Sequence, residues 1–183
     1  MTFAPQLPPL AYIAKIAGDK IFSMQAYVKA HPEEWETKPD GSIVTKADKE
    51  AHRIIKEYIT SHERFKTMGF VSEEGTEEEI AAGLQASERI ETDPLDNTTG
   101  YAKEKPGRDD GYSVNIGRIK DGVPVEGAVY FPAKKEMFYT SEDGKTAYFQ
   151  KGDEAPKKID VKGLPLRDPI EVVIGFNEAH LEQ

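Results

Sequence analysis

The chain has 183 residues and no cysteine, enough length for one domain with a buried core, and it excludes disulfides, thiolate catalysis and thiolate-bound zinc. Its formal charge of -9, with 33 acidic against 24 basic residues and no basic run, excludes a nucleic-acid polymer as partner. No apolar run reaches membrane-spanning length, and Met1 to Pro9 lacks the basic end and apolar core of a secretion signal, so the expected compartment is the cytoplasm, with no membrane partner.

Pro8 and Pro9 suit a helix start, and Leu10, Ile13, Ala14, Ala17, Ile21, Met24 and Val28 recur at spacings of three and four, which predicts an amphipathic helix. A polar connection follows through His31 and Trp35, both read as packing or surface residues, to a turn at Asp40-Gly41. Thr45-Lys46-Ala47-Asp48 has the form of a capping box, and Ala51, Ile54, Ile55, Tyr58 and Ile59 place a second amphipathic helix behind it. Thr67 to Ser72 reads as a short buried strand that delivers Glu73 and Glu74, and residues 76–87 as a solvated helix or loop. Tyr101 to Asp110 is expected to be a charged loop, with Lys103, Lys105 and Arg108 open to an anion.

Beyond that loop the apolar period changes to two. Tyr112 to Ile119, a turn at Asp121-Gly122, and Val123, Val125, Gly127, Val129 and Phe131 on one face predict a hairpin. Glu136 to Thr140 turns at Asp143-Gly144 into Thr146 to Gln150, which extends the hairpin into an antiparallel meander. Residues 151–169 read as a connection and Ile170 to Ile174 as one more strand. Two helices and a meander imply an α+β fold with the helices packed on one face of the sheet.

The stretch Glu91 to Tyr101 carries the most chemistry. Asp93 and Asp96 flank Pro94, which stiffens a turn where a strand-like run ends, and carboxylate oxygens suit a hard cation such as Mg²⁺. Asn97, Thr98 and Thr99 can open a short helix whose free amides face an anion. Asp48 reads either as the helix cap or as a carboxylate that positions water at a helix N-terminus.

Taken in order, Gly41-Ser42-Ile43-Val44-Thr45-Lys46-Ala47-Asp48, Ser72-Glu73-Glu74, Asp93-Pro94-Leu95-Asp96-Asn97-Thr98-Thr99, Val114-Asn115-Ile116 and Gly122 to Gly127 resemble the inositol monophosphatase superfamily of Mg²⁺-dependent, typically lithium-sensitive phosphatases. The spacing is most similar to its 3'(2'),5'-bisphosphate nucleotidase branch. The resemblance implies metal ligands at Glu73, Asp93, Asp96 and the Leu95 carbonyl, and water activation by Thr98 with Glu73, supported by Asp48. It also implies phosphate binding at Asn97, Thr98 and Thr99. The activity implied is hydrolysis of a small phosphate monoester, either a 3'-phosphoadenosine 5'-phosphate-like bisphosphate nucleotide or an inositol phosphate.

Two positions depart from the family pattern. Asn97 stands where the family has glycine, and Asn tolerates a left-handed backbone but adds a side chain at the phosphate. The family's Trp-Asp motif is not matched, since Trp35 is the one tryptophan. The expected organisation is therefore an N-terminal metal-binding subdomain, 1–168, and the start of a second, 169–183. Turnover is expected to be weak or absent without a complementary C-terminal chain. The alternative is a non-catalytic, metal-binding or self-associating homodimer of the same fold.

Overall fold

A computed structural model of the chain describes residues 7–103 and 111–160. Helix α1 spans Pro9–Ala30, with Pro8 at its N-cap, and α2 spans Lys46–Ser61. The capping box forms as expected: Asp48 Oδ2 accepts from the Thr45 amide at 2.8 Å and Thr45 Oγ1 accepts from the Ala47 amide at 3.1 Å. Leu10, Ile13, Ala14, Ala17 and Ile21 of α1 and Ala51, Ile55 and Ile59 of α2 are buried in one core. Burying a side chain of leucine or isoleucine size is worth about 1.5–3 kcal/mol, more than any helix-propensity difference along these segments.

A seven-stranded sheet runs in the order β3-β4-β5-β6-β7-β8-β9, and a small hairpin of β1 (Glu36–Thr37) and β2 (Ile43–Val44) stands apart from it. Its strands are β3 (Gly69–Ser72), β4 (Glu88–Asp96), β5 (Ser113–Lys120), β6 (Val123–Phe131), β7 (Glu136–Thr140), β8 (Ala147–Lys151) and β9 (Lys157–Ile159). All neighbouring pairs are antiparallel except β3 and β4, which run parallel. That pair needs a crossover, and α3 (Glu77–Leu84) supplies it. The fold is mixed α+β, with α1 and α2 on the sheet face that carries Ile90, Val114, Ile116, Ala128 and Tyr130.

One point left open is settled, and three local expectations change. The buried side of β6 is Glu126, Ala128 and Tyr130, so Val125, Gly127, Val129 and Phe131 face away from the helices. Alternation defines two faces without saying which is inside. Here the choice is made by Tyr130, which packs so closely on α1 that a methyl group at Gly18 would stand 2.3 Å from its ring. Glu126 is buried with its charge matched, 2.6 Å from Arg64 Nη2 and 3.0 Å from Arg118 Nε. Second, strand β4 continues through Pro94 to Asp96 and does not end in a turn. Third, Tyr101 and Ala102 belong to a short helix α4 (Thr98–Ala102) and are buried, so they are not part of the charged loop. Fourth, β9 lies inside the stretch read as a plain connection.

Trp35 packs, as expected: its indole N–H donates to the Val28 carbonyl at 3.0 Å, and Lys103 Nζ lies 5.9 Å from its ring centroid. Lys105, Arg108 and the strand expected at Ile170 to Ile174 lie outside the described residues. Among the described residues no helix is long and apolar enough to cross a membrane.

Candidate functional site

The site forms where β3 and β4 end side by side. Their parallel register pairs Val71 with Glu91 and Ser72 with Thr92, and the Glu73 amide then donates to the Thr92 carbonyl at 3.2 Å. Glu73 is thereby set beside Asp93. The β4–β5 register shifts between the pairs Asp93–Asn115 and Asp96–Ser113, so three steps on β4 answer two on β5. This bulge falls at Pro94-Leu95, where the proline has no amide to give the ladder.

The crowding of acids has an electrostatic consequence. Burial, the charges of Glu73 and Asp96, and a hydrogen bond shared with Glu73 push the Asp93 carboxyl up to about 7, although the Leu95 amide, 3.1 Å from Asp93 Oδ1, works in the opposite direction. A carboxyl that keeps its proton near neutrality marks a place short of positive charge.

The other carboxylates have partners of their own. Lys38 Nζ lies 2.8 Å from both Glu73 Oε1 and Glu74 Oε1. Asp96 Oδ2 accepts from Asn115 Nδ2 at 3.3 Å and from Ser113 Oγ at 3.4 Å. As these side chains stand, no three His, Cys, Asp or Glu among the described residues converge closely enough to hold a metal ion. The donor chemistry nevertheless fits a hard divalent cation: three carboxylates and the Leu95 carbonyl, with Asp93 destabilised as an anion until positive charge arrives.

Asp48 caps α2 as the first reading expects, and it also meets Thr98. Its Oδ2 caps α2, while its Oδ1 lies 2.8 Å from Thr98 Oγ1. Burial raises its carboxyl pKa, against the opposing effect of hydrogen bonds from Thr45 and Thr98. Thr98 Oγ1 also stands 3.0 Å from the Leu95 carbonyl. With one proton to donate, the hydroxyl serves one of these acceptors at a time and keeps its lone pairs for a water.

Asn97 adopts a left-handed backbone, φ 63° and ψ 49°, at the N-cap of α4. Its Oδ1 accepts from the Gly100 amide at 3.1 Å, so one of the free helix-start amides is already occupied. The Thr98 and Thr99 amides remain at the opening of the helix. Lys38, Ser113 and Asn115 were not assigned roles from sequence. Asn115 carried a usable signal, a polar residue facing the same way as Asp93 across the β4–β5 ladder; Lys38 carried none.

Residues 9–182 match the inositol monophosphatase family. The chain is 36% identical over 137 residues to the 3'(2'),5'-bisphosphate nucleotidase CysQ of Salmonella typhimurium, covering 74% of this chain and 52% of that protein. In structure it is similar to CysQ from Bacteroides thetaiotaomicron, at a TM-score of 0.56 and 28% identity over 87% of this chain and 54% of that one. It is also similar to the extragenic suppressor protein suhB from Bartonella henselae, at a TM-score of 0.62 and 25% identity over 79% and 51% of the two chains. The chain spans between 52% and 65% of the length of the curated CysQ relatives from Salmonella typhimurium and Escherichia coli. With nearly all of its length matched and the motif residues assembled at the ends of β3 and β4, the chain belongs to the inositol monophosphatase family.

Proposed function

We propose that this chain carries the metal- and water-handling site of a Mg²⁺-dependent hydrolase acting on a small phosphate monoester, a bisphosphorylated nucleotide in preference to an inositol phosphate. The observation that carries the reading is the junction of Glu73, Asp93 and Asp96 with the Thr98–Asp48 pair. The preference for a nucleotide rests on the name of the CysQ relatives.

Glu73, Asp93, Asp96 and the Leu95 carbonyl would hold the cation. Such a cation supplies positive charge to the phosphate oxygens and makes water more acidic. Thr98 Oγ1 takes a proton from the attacking water as it gives its own to Asp48, whose raised pKa makes it a better acceptor than an exposed carboxylate. Glu73, beside Asp93, holds the other side of that water. The Thr98 and Thr99 amides face the phosphate at the opening of α4. Asn97 keeps the turn left-handed and removes the Gly100 amide from that set.

The test is phosphate release from adenosine 3',5'-bisphosphate and from inositol 1-phosphate, with Mg²⁺ and with EDTA. Release that requires Mg²⁺ and is faster with the nucleotide supports the reading, and release that EDTA leaves unchanged, or that is faster with the inositol phosphate, overturns it. A second reading, a self-associating metal-binding module without turnover, is favoured by the sheet face that carries Val129 and the exposed Phe138 away from the helices. A dimer that binds Mg²⁺ and releases no phosphate would support that alternative.

A further inference from the structure

Ser72, the last residue of β3, is 2% exposed and closes the turn that follows it through two of its atoms. Its carbonyl accepts from the Gly75 amide at 2.9 Å, and its hydroxyl oxygen accepts from the Glu74 amide at 3.3 Å. Glu73 is the residue inside that turn. On the sheet side its backbone is pinned by the hydrogen bond to the Thr92 carbonyl. On the helix side the pin is His52, whose Nδ1 lies 2.8 Å from Ser72 Oγ across 20 residues. The imidazole is half-buried, with its ring centroid 5.9 Å from that of Phe70. His52 follows Asp48 by four positions on α2, so the two side chains leave the same face of the helix one turn apart. Asp48 meets the Thr98 hydroxyl and His52 meets the Ser72 hydroxyl.

We propose that His52 is a positioning residue for Glu73: its Nδ1 accepts the Ser72 proton, which leaves the Ser72 oxygen to hold the Glu74 amide and sets the Glu73 backbone against the helix that carries Asp48. The inference rests on the reading of Glu73 as a metal ligand. The direction of the contact follows from counting protons, since a hydroxyl has one proton to give and two lone pairs. Among the described residues Ser72 Oγ meets only His52 Nδ1 and the Glu74 amide. With a proton on Nδ1 the buried hydroxyl would have no acceptor for its own, a costly state. With Nδ1 free, every group from the Glu74 amide through the Ser72 hydroxyl to the imidazole is satisfied. The surroundings keep the ring neutral. Burial first, and then Lys56 on the same helix, lower the His52 pKa below the ordinary histidine value, against the opposing charges of Glu79 on α3 and Glu74 in the turn.

The competing explanation is a histidine that only packs α2 on β3. Packing follows shape, whereas positioning follows the hydrogen bond. H52F keeps a ring against Phe70 and removes the acceptor; H52N removes the ring and places an amide oxygen near the position of Nδ1. In calorimetric titration of the full 183-residue chain with Mg²⁺, H52F is expected to bind on the order of tenfold more weakly than wild type, and H52N to stay close to wild type. H52F that binds like wild type, or H52N as weak as H52F, overturns the proposal. In a Ser72→Ala background H52F is expected to cost nothing further, and additive losses overturn the proposal. D93N separates this failure from that of the site itself. If D93N abolishes binding while H52F leaves it unchanged, only the His52 proposal fails; if D93N binds like wild type, or the wild type binds no Mg²⁺, the reading of the metal site fails and the proposal with it. Two further readouts need no metal. Solvent exchange of the Glu74 amide is expected to quicken on the order of tenfold in H52F and not in H52N, and exchange that H52F leaves unchanged overturns the proposal. In the wild type, which needs no variant to fold, the ¹⁵N resonances of the neutral His52 ring are expected to place its proton on Nε2, and a proton on Nδ1 overturns the proposal.

Discussion

Thr98 Oγ1 lies 2.8 Å from Asp48 Oδ1, a contact across 50 residues that ties the first residue of α4 to the first turn of α2. The same carboxylate caps α2 through the Thr45 amide. One buried group therefore sets both the start of a core helix and the direction of the hydroxyl at the site. Asp48→Ala removes all of these acceptors and is expected to cost about 1–3 kcal/mol of stability. Asp48→Asn keeps one oxygen for Thr45 and turns an amide N–H toward Thr98, so it is expected to cost under about 1 kcal/mol while removing the proton acceptor. Urea unfolding measured beside phosphate release checks both; a D48N chain that keeps full activity would remove Asp48 from the chemistry.

The Asp93 carboxyl is pushed up to about 7 by burial first and by Glu73 and Asp96 next, whereas an unfolded aspartate titrates near about 3.9. Between these values the folded chain binds more protons than the unfolded one, so stability falls as pH rises. The loss is complete once pH passes about 7. After allowance for partial solvent screening, about 1–3 kcal/mol is expected to disappear between pH 4 and pH 7 in EDTA. The check is a pH series of unfolding curves in wild type and Asp93→Asn. A slope that survives the substitution assigns it to another group.

Gly100 has no side chain because that of Asn97 occupies the space: a methyl group there would stand 2.4 Å from Asn97 Nδ2. Gly100→Ala is expected to displace the Asn97 cap and cost about 0.5–1.5 kcal/mol. In an Asn97→Gly background the clash is gone, and the same change is expected to stabilise by about 0.5–1 kcal/mol through helix propensity. Thermal unfolding of the four chains measures the coupling, and equal effects in both backgrounds would contradict the packing described.

Much of this architecture was legible in the residues, for reasons that differ by element. The α1 stripe and the Thr45–Asp48 capping box are local patterns that tertiary structure had no cause to override. Asn97 also proved suited to the left-handed backbone that glycine usually provides. The inward face of β6 was not legible, because the placement of Glu126 inside and Val129 outside depends on Arg64, Arg118 and the fit of Tyr130 against Gly18. The passage of β4 through Pro94 depended on a bulge opposite β5. Lys38 meets Glu73 only because a hairpin folds back over the end of β3.

Glu126 holds Arg64 and Arg118 at once, with its side chain 1% exposed. Glu126→Ala leaves two guanidinium groups facing each other, each with one outer partner, Glu142 for Arg64 and Glu88 for Arg118. The expected loss is about 2–4 kcal/mol, read as a lower urea midpoint. A loss below about 1 kcal/mol, the range of an exposed pair, would mean that the outer carboxylates suffice.

The most direct test of the site is single-turnover phosphate release from adenosine 3',5'-bisphosphate, with protein in excess so that slow hydrolysis is still detected. Wild type and Asp93→Asn are compared at saturating Mg²⁺. Release by the wild type, lost with EDTA and reduced at least about a thousandfold in D93N, is the expected result, a reduction of about 4 kcal/mol in transition-state stabilisation. Release by D93N within tenfold of wild type, or release that EDTA leaves unchanged, would contradict it.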